Sequence, residues 1–398
     1  MTSHDERAVA TAAGDPSERT GRRLGRWPLA VGVAIVLVVV WAFATAWVGI
    51  WGSSPAYLLT LVLALGLAIG LIAWAVLVGP PPARSRRRVW LARGALVLGG
   101  VVLIGSLVYL RPLSAEPIAL DALGDGDGVS VDVSRSTIRL TPDLDPRSVG
   151  LAFYPGAKVD PQAYAHILRP LAEAGFTVVI FKQPYNLAVL QPNAANAVIG
   201  DPDDTIDRWV VGGHSLGGAM ASNYAEQDRD ELSGLLLYAA YPVNDMSERA
   251  GLAVMSVFGT DDGLATPADI EERASDLPSS TEYVAIEGAI HSYFGDYGPQ
   301  RGDGTPEVSR TVAQREIAAA SMRLLEALER GFDGGARFPQ APGQHIESDP
   351  GLLGFPNPEG QAVLDRAPQG VEARGQLGRS VALPERIQDL ATTKGGWR

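Results

Sequence analysis

The chain of 398 residues contains no cysteine, only five methionines and five histidines, and few aromatic residues, at 7%. Without thiols it can form no disulfide, no thiolate nucleophile and no Cys-based zinc or iron–sulfur site. The lack of cysteine does not decide the redox compartment, because a thiol-free protein is stable in either environment. Hydrophobic residues make up 46% of the chain, which is enough for a folded core and excludes wholesale disorder.

Charge is distributed unevenly along the chain. The formal net charge is −12 at pH 7, which argues against a nucleic-acid-binding protein. Residues 1–112 nevertheless hold 11 basic and 4 acidic residues, whereas residues 113–398 hold 22 basic and 41 acidic residues. The sequence therefore predicts two physically different parts, of which the first is basic and the second acidic.

Three long apolar runs occupy most of the basic part, at residues 28–50, 56–79 and 89–110. The first two contain no charged residue, and the third contains only Arg93 near its start, where an arginine can extend to the headgroups. Helices of this length span about 35 Å, more than the ~30 Å hydrocarbon core of a bilayer. We therefore predict three transmembrane helices that anchor the chain in the cytoplasmic membrane.

Arginines determine the predicted orientation of this anchor. They lie in the N-terminal segment 1–27 and in the loop 80–88, whereas the loop 51–55 carries no charge. Positively charged loops stay in the cytoplasm, so segment 1–27 is expected inside and everything after Arg111 outside. A cleaved signal peptide ending at Ala42-Phe43-Ala44 is the alternative, but the apolar run continues well past that site.

A G-x-x-x-G pair, Gly66 and Gly70, lies in the second apolar run. Such a pair allows two helices to approach closely and indicates helix dimerisation. Glycine is also common in membrane helices in general, and this ordinary interpretation is the one we favour.

Residues 129–330 alternate short apolar runs with stretches of helical spacing. Strands are predicted at 129–133, 137–140, 149–154, 176–181, 209–212, 235–238, 253–258 and 283–286, and helices at 163–174, 216–227, 268–276 and 312–330. This order predicts an α/β domain whose mainly parallel sheet is covered by helices on both faces, with function at the carboxyl ends of the strands. Residues 112–128 are predicted to be a linker and residues 331–398 a flexible tail.

The clearest chemical motif is G-x-S-x-G at residues 213–217, which follows a predicted strand and opens a predicted helix. Its glycines leave room for a tight turn that holds the hydroxyl of Ser215 above the edge of the sheet. Asp261 and Asp262 follow a later strand, and His291 follows the next one. The order Ser, Asp, His is that of alpha/beta hydrolases, although position alone does not decide between the two aspartates.

Four stretches between about residues 151 and 300 resemble the alpha/beta-hydrolase fold-5 family, which is related to dienelactone hydrolases and carboxylesterases. They are YPGAKVD at 154–160, GGHSLGGA at 212–219, GTDDG at 259–263 and HSYFGDY at 291–297. The resemblance implies an alpha/beta-hydrolase fold behind the three transmembrane helices. It also aligns Asp262, rather than Asp261, with the acid of a catalytic triad.

The predicted mechanism is nucleophilic catalysis. Ser215 is expected to attack an acyl carbonyl, His291 to accept and return the proton, and Asp262 to orient the imidazole. The backbone N–H groups of Leu216 and Ala157 are the predicted oxyanion donors. Lipases often carry an HGGG-type loop where this chain has PGAK at 155–158, so the second donor, Ala157, is the less firmly defined one.

Other polar residues receive ordinary interpretations. His214 is expected to support the turn, His166 to be a surface or packing residue, and Lys158 either to contact a substrate carboxylate or to be solvated. Asp296 and Asp303 lack the spacing typical of metal ligands, so no metal and no cofactor are predicted.

The sequence thus predicts a membrane-anchored serine hydrolase that cleaves an ester, a thioester or a lipid-like acyl bond outside the cytoplasmic membrane. Its expected partners are an acyl substrate and the bilayer, and nucleic acid is not among them. Two other functions stay open, namely acyl transfer between envelope components and a non-catalytic hydrolase-like binding domain. The connection 183–209 is expected to be either a small cap over the site or a surface loop. Fold alone does not identify the substrate.

Overall fold

A computed structural model describes residues 26–78, 85–200, 206–227 and 231–334 of the chain. Three long helices come first: α1 (Arg26–Gly52), α2 (Pro55–Ala73), which continues as a π-helical turn (Trp74–Val78), and α3 (Arg86–Tyr109). All three are long and apolar enough to cross a membrane. The predicted N-terminal segment and C-terminal tail lie almost entirely outside the described residues.

Small residues and one buried hydrogen bond hold the three helices together. A Cβ atom added to Gly100 of α3 would lie 2.8 Å from Cγ1 of Val31, so glycine allows α1 and α3 to approach closely. The buried hydroxyl of Tyr57 donates to the carbonyl oxygen of Leu107 at 2.6 Å and links α2 to α3. Nothing lies within 4 Å of a Cβ added to Gly66 or Gly70, so this pair is not a contact within the bundle.

The rest of the described chain contains an eight-stranded sheet and five shorter helices. The strands are β1 (Val129–Val133), β2 (Thr137–Pro142), β3 (Val149–Tyr154), β4 (Thr177–Phe181), β5 (Arg208–His214), β6 (Leu232–Tyr238), β7 (Ala253–Gly259) and β8 (Glu282–Ile286). The helices are α4 (Pro117–Asp121), α5 (Ala165–Glu173), α6 (Leu216–Ala225), α7 (Pro267–Glu272) and α8 (Arg310–Glu329).

The order of strands across the sheet is β1-β2-β4-β3-β5-β6-β7-β8. Strands β3 to β8 pair in parallel, and only β1 and β2 are antiparallel. Strands β3, β4 and β7 are buried along their whole length because hydrophobic clusters cover both faces of the sheet. The predicted, mainly parallel and doubly covered sheet is confirmed. The chain direction across the sheet reverses beside β3, which is the position where open α/β sheets typically bind their ligands.

Residues 112–128 are not the linker that their composition indicated. Leu113 forms a parallel β-bridge with Val159, and Ala119 of α4 is fully buried in the core. The guanidinium of Arg169 donates to the carbonyl oxygen of Ala122 at 2.8 Å. The small side chains of Ala115, Ala119 and Ala122 are buried against the domain. The segment therefore belongs to the α/β domain and joins α3 to it directly.

Candidate active site

Ser215 lies in a strained turn between β5 and α6. Its backbone has φ 53° and ψ −123°, a conformation that costs a non-glycine residue of order 1–3 kcal/mol and is typical of functional sites. A Cβ atom added to Gly213 would lie 2.5 Å from the carbonyl carbon of Gly217. A Cβ added to Gly217 would overlap the carbonyl oxygens of Tyr154 and Pro155. The two motif glycines are thus required by the close approach of β3, β5 and α6.

His291 and Asp262 form a buried pair at the ends of β8 and β7. Nδ1 of His291 lies 2.8 Å from Oδ2 of Asp262, and both side chains are almost fully buried. The other carboxylate oxygen of Asp262 accepts the backbone N–H groups of Leu264, at 2.7 Å, and Ala265, at 2.8 Å. Because a carboxylate only accepts hydrogen bonds, Nδ1 of His291 carries the proton and Nε2 is the basic nitrogen. Asp262, and not the neighbouring Asp261, is the partner of His291.

The basic nitrogen of His291 is free in this structure. Its Nε2 is buried without a hydrogen-bond partner, so the hydroxyl of Ser215 is not hydrogen-bonded to it. The ring of His291 lies 4.5 Å, centre to centre, from the ring of His214, the residue before Ser215. In ligand-free enzymes the bond between nucleophile and base is often long and forms only with substrate. The arrangement supplies an oriented base beside a strained serine turn.

Asp303 fixes the loop that carries His291. Its carboxylate accepts the backbone N–H groups of His291 at 2.9 Å, Ser292 at 2.8 Å and Gly304 at 2.8 Å. Asp303 lies twelve residues after His291, and no local sequence pattern predicts this contact. The sequence had given Asp303 no role beyond the absence of metal-ligand spacing, whereas the structure gives it a supporting role in the loop.

The remaining acidic and basic candidates have structural partners. Asp296 accepts from Gln314 at 3.0 Å and pairs with His166 at 3.1 Å, and this contact raises the pKa of His166. Among the described residues, no group of three or more His, Cys, Asp or Glu side chains is placed to hold a metal ion. Nζ of Lys158 lies 4.5 Å from the centre of the Tyr109 ring at the end of α3. This cation–π contact is neither of the two outcomes expected for Lys158.

His214 is a neutral, structural histidine. It is fully buried, and burial lowers its pKa well below the ordinary value, with a smaller contribution from the nearby His291. Its Nδ1 lies 2.8 Å from the hydroxyl of Tyr164, which in turn accepts the N–H of Gly156 at 2.8 Å. The hydroxyl proton of Tyr164 therefore points to Nδ1 of His214. This chain of contacts connects the loop after β3 to the serine turn, and sequence reasoning had missed Tyr164.

Two backbone N–H groups beside Ser215 have no partner among the described residues. Leu216 is the first residue of α6, where helix geometry leaves the N–H free and the helix dipole favours negative charge. In the loop after β3, the N–H of Gly156 is used by Tyr164, and that of Lys158 donates to the carbonyl oxygen of Asn186 at 2.7 Å. Ala157, between them, is the residue whose N–H stays available.

The connection after β4 packs on the domain through part of its described residues up to Gly200, whereas Val189 and Leu190 are exposed. It consists of short 3-10 turns at Pro184–Asn186, Ala188–Leu190 and Ala194–Ala197. The hydroxyl of Tyr224 in α6 donates to Asn196 at 2.9 Å, and the hydroxyl of Tyr154 in β3 donates to Pro192 at 2.8 Å. The connection therefore lies beside the helix that follows Ser215.

Comparison with known proteins shows similarity to one protein family over part of the chain. Residues 150–316 match the model of the alpha/beta hydrolase family. The predicted resemblance and the alpha/beta-hydrolase fold are therefore confirmed, and the family match supports a hydrolase. No curated protein matches the chain.

Solved structures with a similar arrangement cover about half of this chain. A predicted CIB-like hydrolase from Thermoplasma acidophilum is 17% identical, with 51% of this chain and 100% of that one covered and a TM-score of 0.37. Esterase 2 of Thermogutta terrifontis is 15% identical and has a TM-score of 0.35. The match covers 52% of this chain and 97% of that esterase. A dienelactone hydrolase-like promiscuous phosphotriesterase from metagenomic libraries is 17% identical and has a TM-score of 0.36. The match covers 48% of this chain and 92% of that enzyme. These values are too low to indicate the activity of this chain.

Proposed function

We propose that this chain, whose residues 150–316 form a domain of the alpha/beta hydrolase family, is a membrane-anchored serine hydrolase that cleaves carboxylic esters. The observation that carries the proposal is the buried pair of Asp262 and His291, whose ring lies 4.5 Å from that of His214, the residue before the strained Ser215. A strained serine, an oriented base and a buried acid are the parts that acyl transfer requires.

The proposed reaction proceeds through an acyl-enzyme. Oγ of Ser215 forms a bond to the acyl carbon while its proton passes to Nε2 of His291. The bond between the acyl carbon and the alcohol oxygen then breaks, and His291 protonates the leaving alcohol. A water molecule, deprotonated by His291, attacks the acyl-enzyme and releases the carboxylic acid and free Ser215. Asp262 keeps the imidazole in the required tautomer and stabilises its charged form.

The proposed oxyanion hole consists of the N–H groups of Leu216 and Ala157. Both groups lack a partner among the described residues, so neither must break a hydrogen bond to receive the oxyanion. Donors fixed before the reaction cost no reorganisation in the transition state, and loss of one donor typically costs about 10²–10³ in rate.

The proposed location is the cytoplasmic membrane, with the catalytic domain on its outer face. Support comes from α1, α2 and α3, which have the length and composition of transmembrane helices. Arginines precede α1, and Arg84 precedes α3, whose first three residues are also arginines; this favours the cytoplasm for both segments. Since the chain has no cysteine, a single introduced cysteine can report its side. Leu144→Cys should react with an impermeant thiol reagent in intact cells, whereas Ser85→Cys should react only after permeabilisation; the reverse pattern would contradict the orientation.

Labelling of the full-length protein with a fluorophosphonate tests the proposed nucleophile. The protein should hydrolyse p-nitrophenyl butyrate and become labelled, and Ser215→Ala should abolish both. Ser222→Ala is a matched control in the same helix, because Ser222 bonds only to the backbone of Ala219 and Val243, and it should stay labelled. Labelling that persists in Ser215→Ala would remove Ser215 from its role. Added alcohol acceptors test acyl transfer, which would appear as new ester products.

A further inference from the structure

The edge of the sheet that carries Ser215 rests on the end of the helix bundle. Ser53, in the turn between α1 and α2, accepts a hydrogen bond from Nδ2 of Asn186 at 2.7 Å. Asn186 belongs to the loop after β4, and Lys158, in the loop after β3, stacks on Tyr109 at the end of α3. Both loops leave the carboxyl ends of strands, as does the turn of Ser215. The ends of all three helices therefore meet the same edge of the sheet.

The loop after β4 reaches the level at which the bundle enters the bilayer. The hydroxyl of Tyr185 is hydrogen-bonded to the hydroxyl of Thr60 at 2.9 Å, five residues beyond the start of α2. At roughly 1.5 Å per residue, Tyr185 extends about 8 Å along this helix. The exposed rings of Trp47 and Trp51 meet edge to face at the same end of the bundle. Aromatic side chains of this kind lie at the boundary between membrane and water.

Large apolar side chains are exposed on three loops at this edge. Val189 and Leu190 follow β4 and are 52% and 54% exposed, Tyr241 and Val243 follow β6, and Leu264 follows β7. We call these five residues the apolar rim. The loops of the rim flank the loops after β3 and β5, where the proposed catalytic groups lie. Grouped exposed apolar side chains mark contact sites, and the contacts with the helix ends indicate what this rim contacts.

We propose that the apolar rim lies on the bilayer surface and that the substrate is a membrane-resident ester with a long acyl chain. This inference rests on the proposed function. An amphipathic ester carries its carbonyl group at the polar boundary of the bilayer, the level to which Tyr185 and the aromatic residues bring the site. Such a substrate can reach Ser215 without leaving the lipid phase. It therefore avoids the free-energy cost of transfer into water, which increases with every methylene group of the acyl chain.

The first experiment compares two carboxylic esters on the full-length protein in nanodiscs of dialkyl ether phosphatidylcholine, which contain no other carboxylic ester. The soluble ester is p-nitrophenyl butyrate, and the embedded ester is 4-methylumbelliferyl oleate. The double variant Val189→Asp/Leu190→Asp should lower kcat/KM at least tenfold for the embedded ester. Its kcat/KM for the soluble ester should stay within twofold of the wild-type value. Leu144→Asp is the matched control, because Leu144 is 78% exposed after the antiparallel strand β2, at the opposite edge of the sheet.

The outcomes separate this inference from the function on which it rests. Equal loss on both esters, no loss on the embedded ester, or an equal effect of Leu144→Asp would overturn the membrane-facing rim. A wild-type protein that hydrolyses only the soluble ester would also overturn it while leaving the serine hydrolase standing. A wild-type protein that is inert to both esters and to the fluorophosphonate would overturn the proposed function itself.

A second experiment measures contact with lipid without using activity. The chain contains no cysteine, so Leu190→Cys and Leu144→Cys each provide one labelling site. A bimane label at position 190 should shift to the blue in nanodiscs and be quenched by brominated lipids, whereas the label at position 144 should do neither. A label at 190 that behaves like the label at 144 would contradict contact between the rim and the bilayer, and would indicate that a protein or solvent covers it.

Discussion

The hydrogen bond between Asn186 and Ser53 joins the catalytic domain to the turn between α1 and α2, and its loss should impair both stability and turnover. The bond is 2.7 Å long, and both residues are buried, at 1% and 8% exposure. The carbonyl oxygen of Asn186 also accepts the N–H of Lys158, which follows Ala157, the proposed oxyanion donor. We call the loop after β3, which carries Ala157, the oxyanion loop. A shift of Asn186 is therefore transmitted to this loop through one hydrogen bond.

Two substitutions at this position separate the side chain from the backbone. Asn186 has φ 53°, a left-handed conformation that asparagine and glycine tolerate better than alanine. Asn186→Ala loses a buried hydrogen bond, worth about 1 kcal/mol, and places alanine in a conformation that costs about 1–2 kcal/mol more. Asn186→Gly and Ser53→Ala lose only the hydrogen bond. We expect the free energy of unfolding to fall by about 2–3 kcal/mol in the first variant and by about 1 kcal/mol in the other two.

Turnover provides the second measurement. A displaced oxyanion donor weakens binding of the transition state more than binding of the ester, so kcat should fall while KM changes little. Asn186→Ala is expected to lower kcat for p-nitrophenyl butyrate about tenfold or more, within the range of up to about 10²–10³ for complete loss of a donor. The control is Asn193→Ala in the same connection, because Asn193 is exposed and has an ordinary negative φ.

Denaturant unfolding of the full-length protein in detergent, with kcat and KM measured on the same samples, decides the question. Equal stability of the alanine and glycine variants at 186 would refute the reasoning from backbone conformation. Wild-type stability and turnover in both Ser53→Ala and Asn186→Gly would refute the idea that the helix turn holds the oxyanion loop.

Three further predictions concern single side chains. Gly217→Ala should slow fluorophosphonate labelling at least tenfold, because the added methyl overlaps backbone oxygens of Tyr154 and Pro155. Burial raises the pKa of Asp160 to about 6, so the folded state keeps a proton that the unfolded state loses above about pH 4. Between about pH 4 and 6 this group should lower the free energy of unfolding by about 3 kcal/mol as pH rises, and denaturant titrations of Asp160→Asn should lack that slope. Gln183→Leu should not lower the unfolding temperature, because both amide atoms of the buried Gln183 lack partners, but should raise KM for the embedded ester if the substrate binds them.

Most strands could be predicted from the sequence because each is an apolar run bounded by turn residues. Strand β5 is longer than predicted, since Gly213 and His214 continue its pairing with Leu237 and Tyr238 of β6. Glycine and histidine carry no strand signal, so the extension depends on the neighbouring strand. The prediction of a linker at 112–128 was wrong for a related reason, because its Gly and Ala residues resemble a linker locally. Its packing depends on two partners distant in sequence, Arg169 and Val159.

The candidate site was predictable where a local motif defines it, as at Ser215. Position alone did not decide between Asp261 and Asp262, because adjacent residues in one turn have the same sequence context, and the prediction of Asp262 rested on the family resemblance. In the structure Asp262 is 3% exposed and faces His291, whereas Asp261 is partly exposed. The contacts of Asn186 with Ser53 and of Tyr185 with Thr60 join residues more than a hundred positions apart, and nothing in a short stretch of sequence encodes them.

Polar contacts between the three helices and the α/β domain hold the two parts in a fixed relation, unlike a flexible linker. Arg111, two residues after the end of α3, donates to the carbonyl oxygen of Thr45 in α1 at 2.9 Å. Two residues later, the backbone N–H of Leu113 donates to the carbonyl oxygen of Lys158 at 2.8 Å. No flexible stretch separates the bundle from the oxyanion loop there. Each such bond contributes only about 0.5–1.5 kcal/mol, but several acting at different points restrict rotation about any one of them. In the proposed arrangement these contacts would set the height of Ser215 above the bilayer, and an enzyme held at one height would select esters whose carbonyl groups lie at that height.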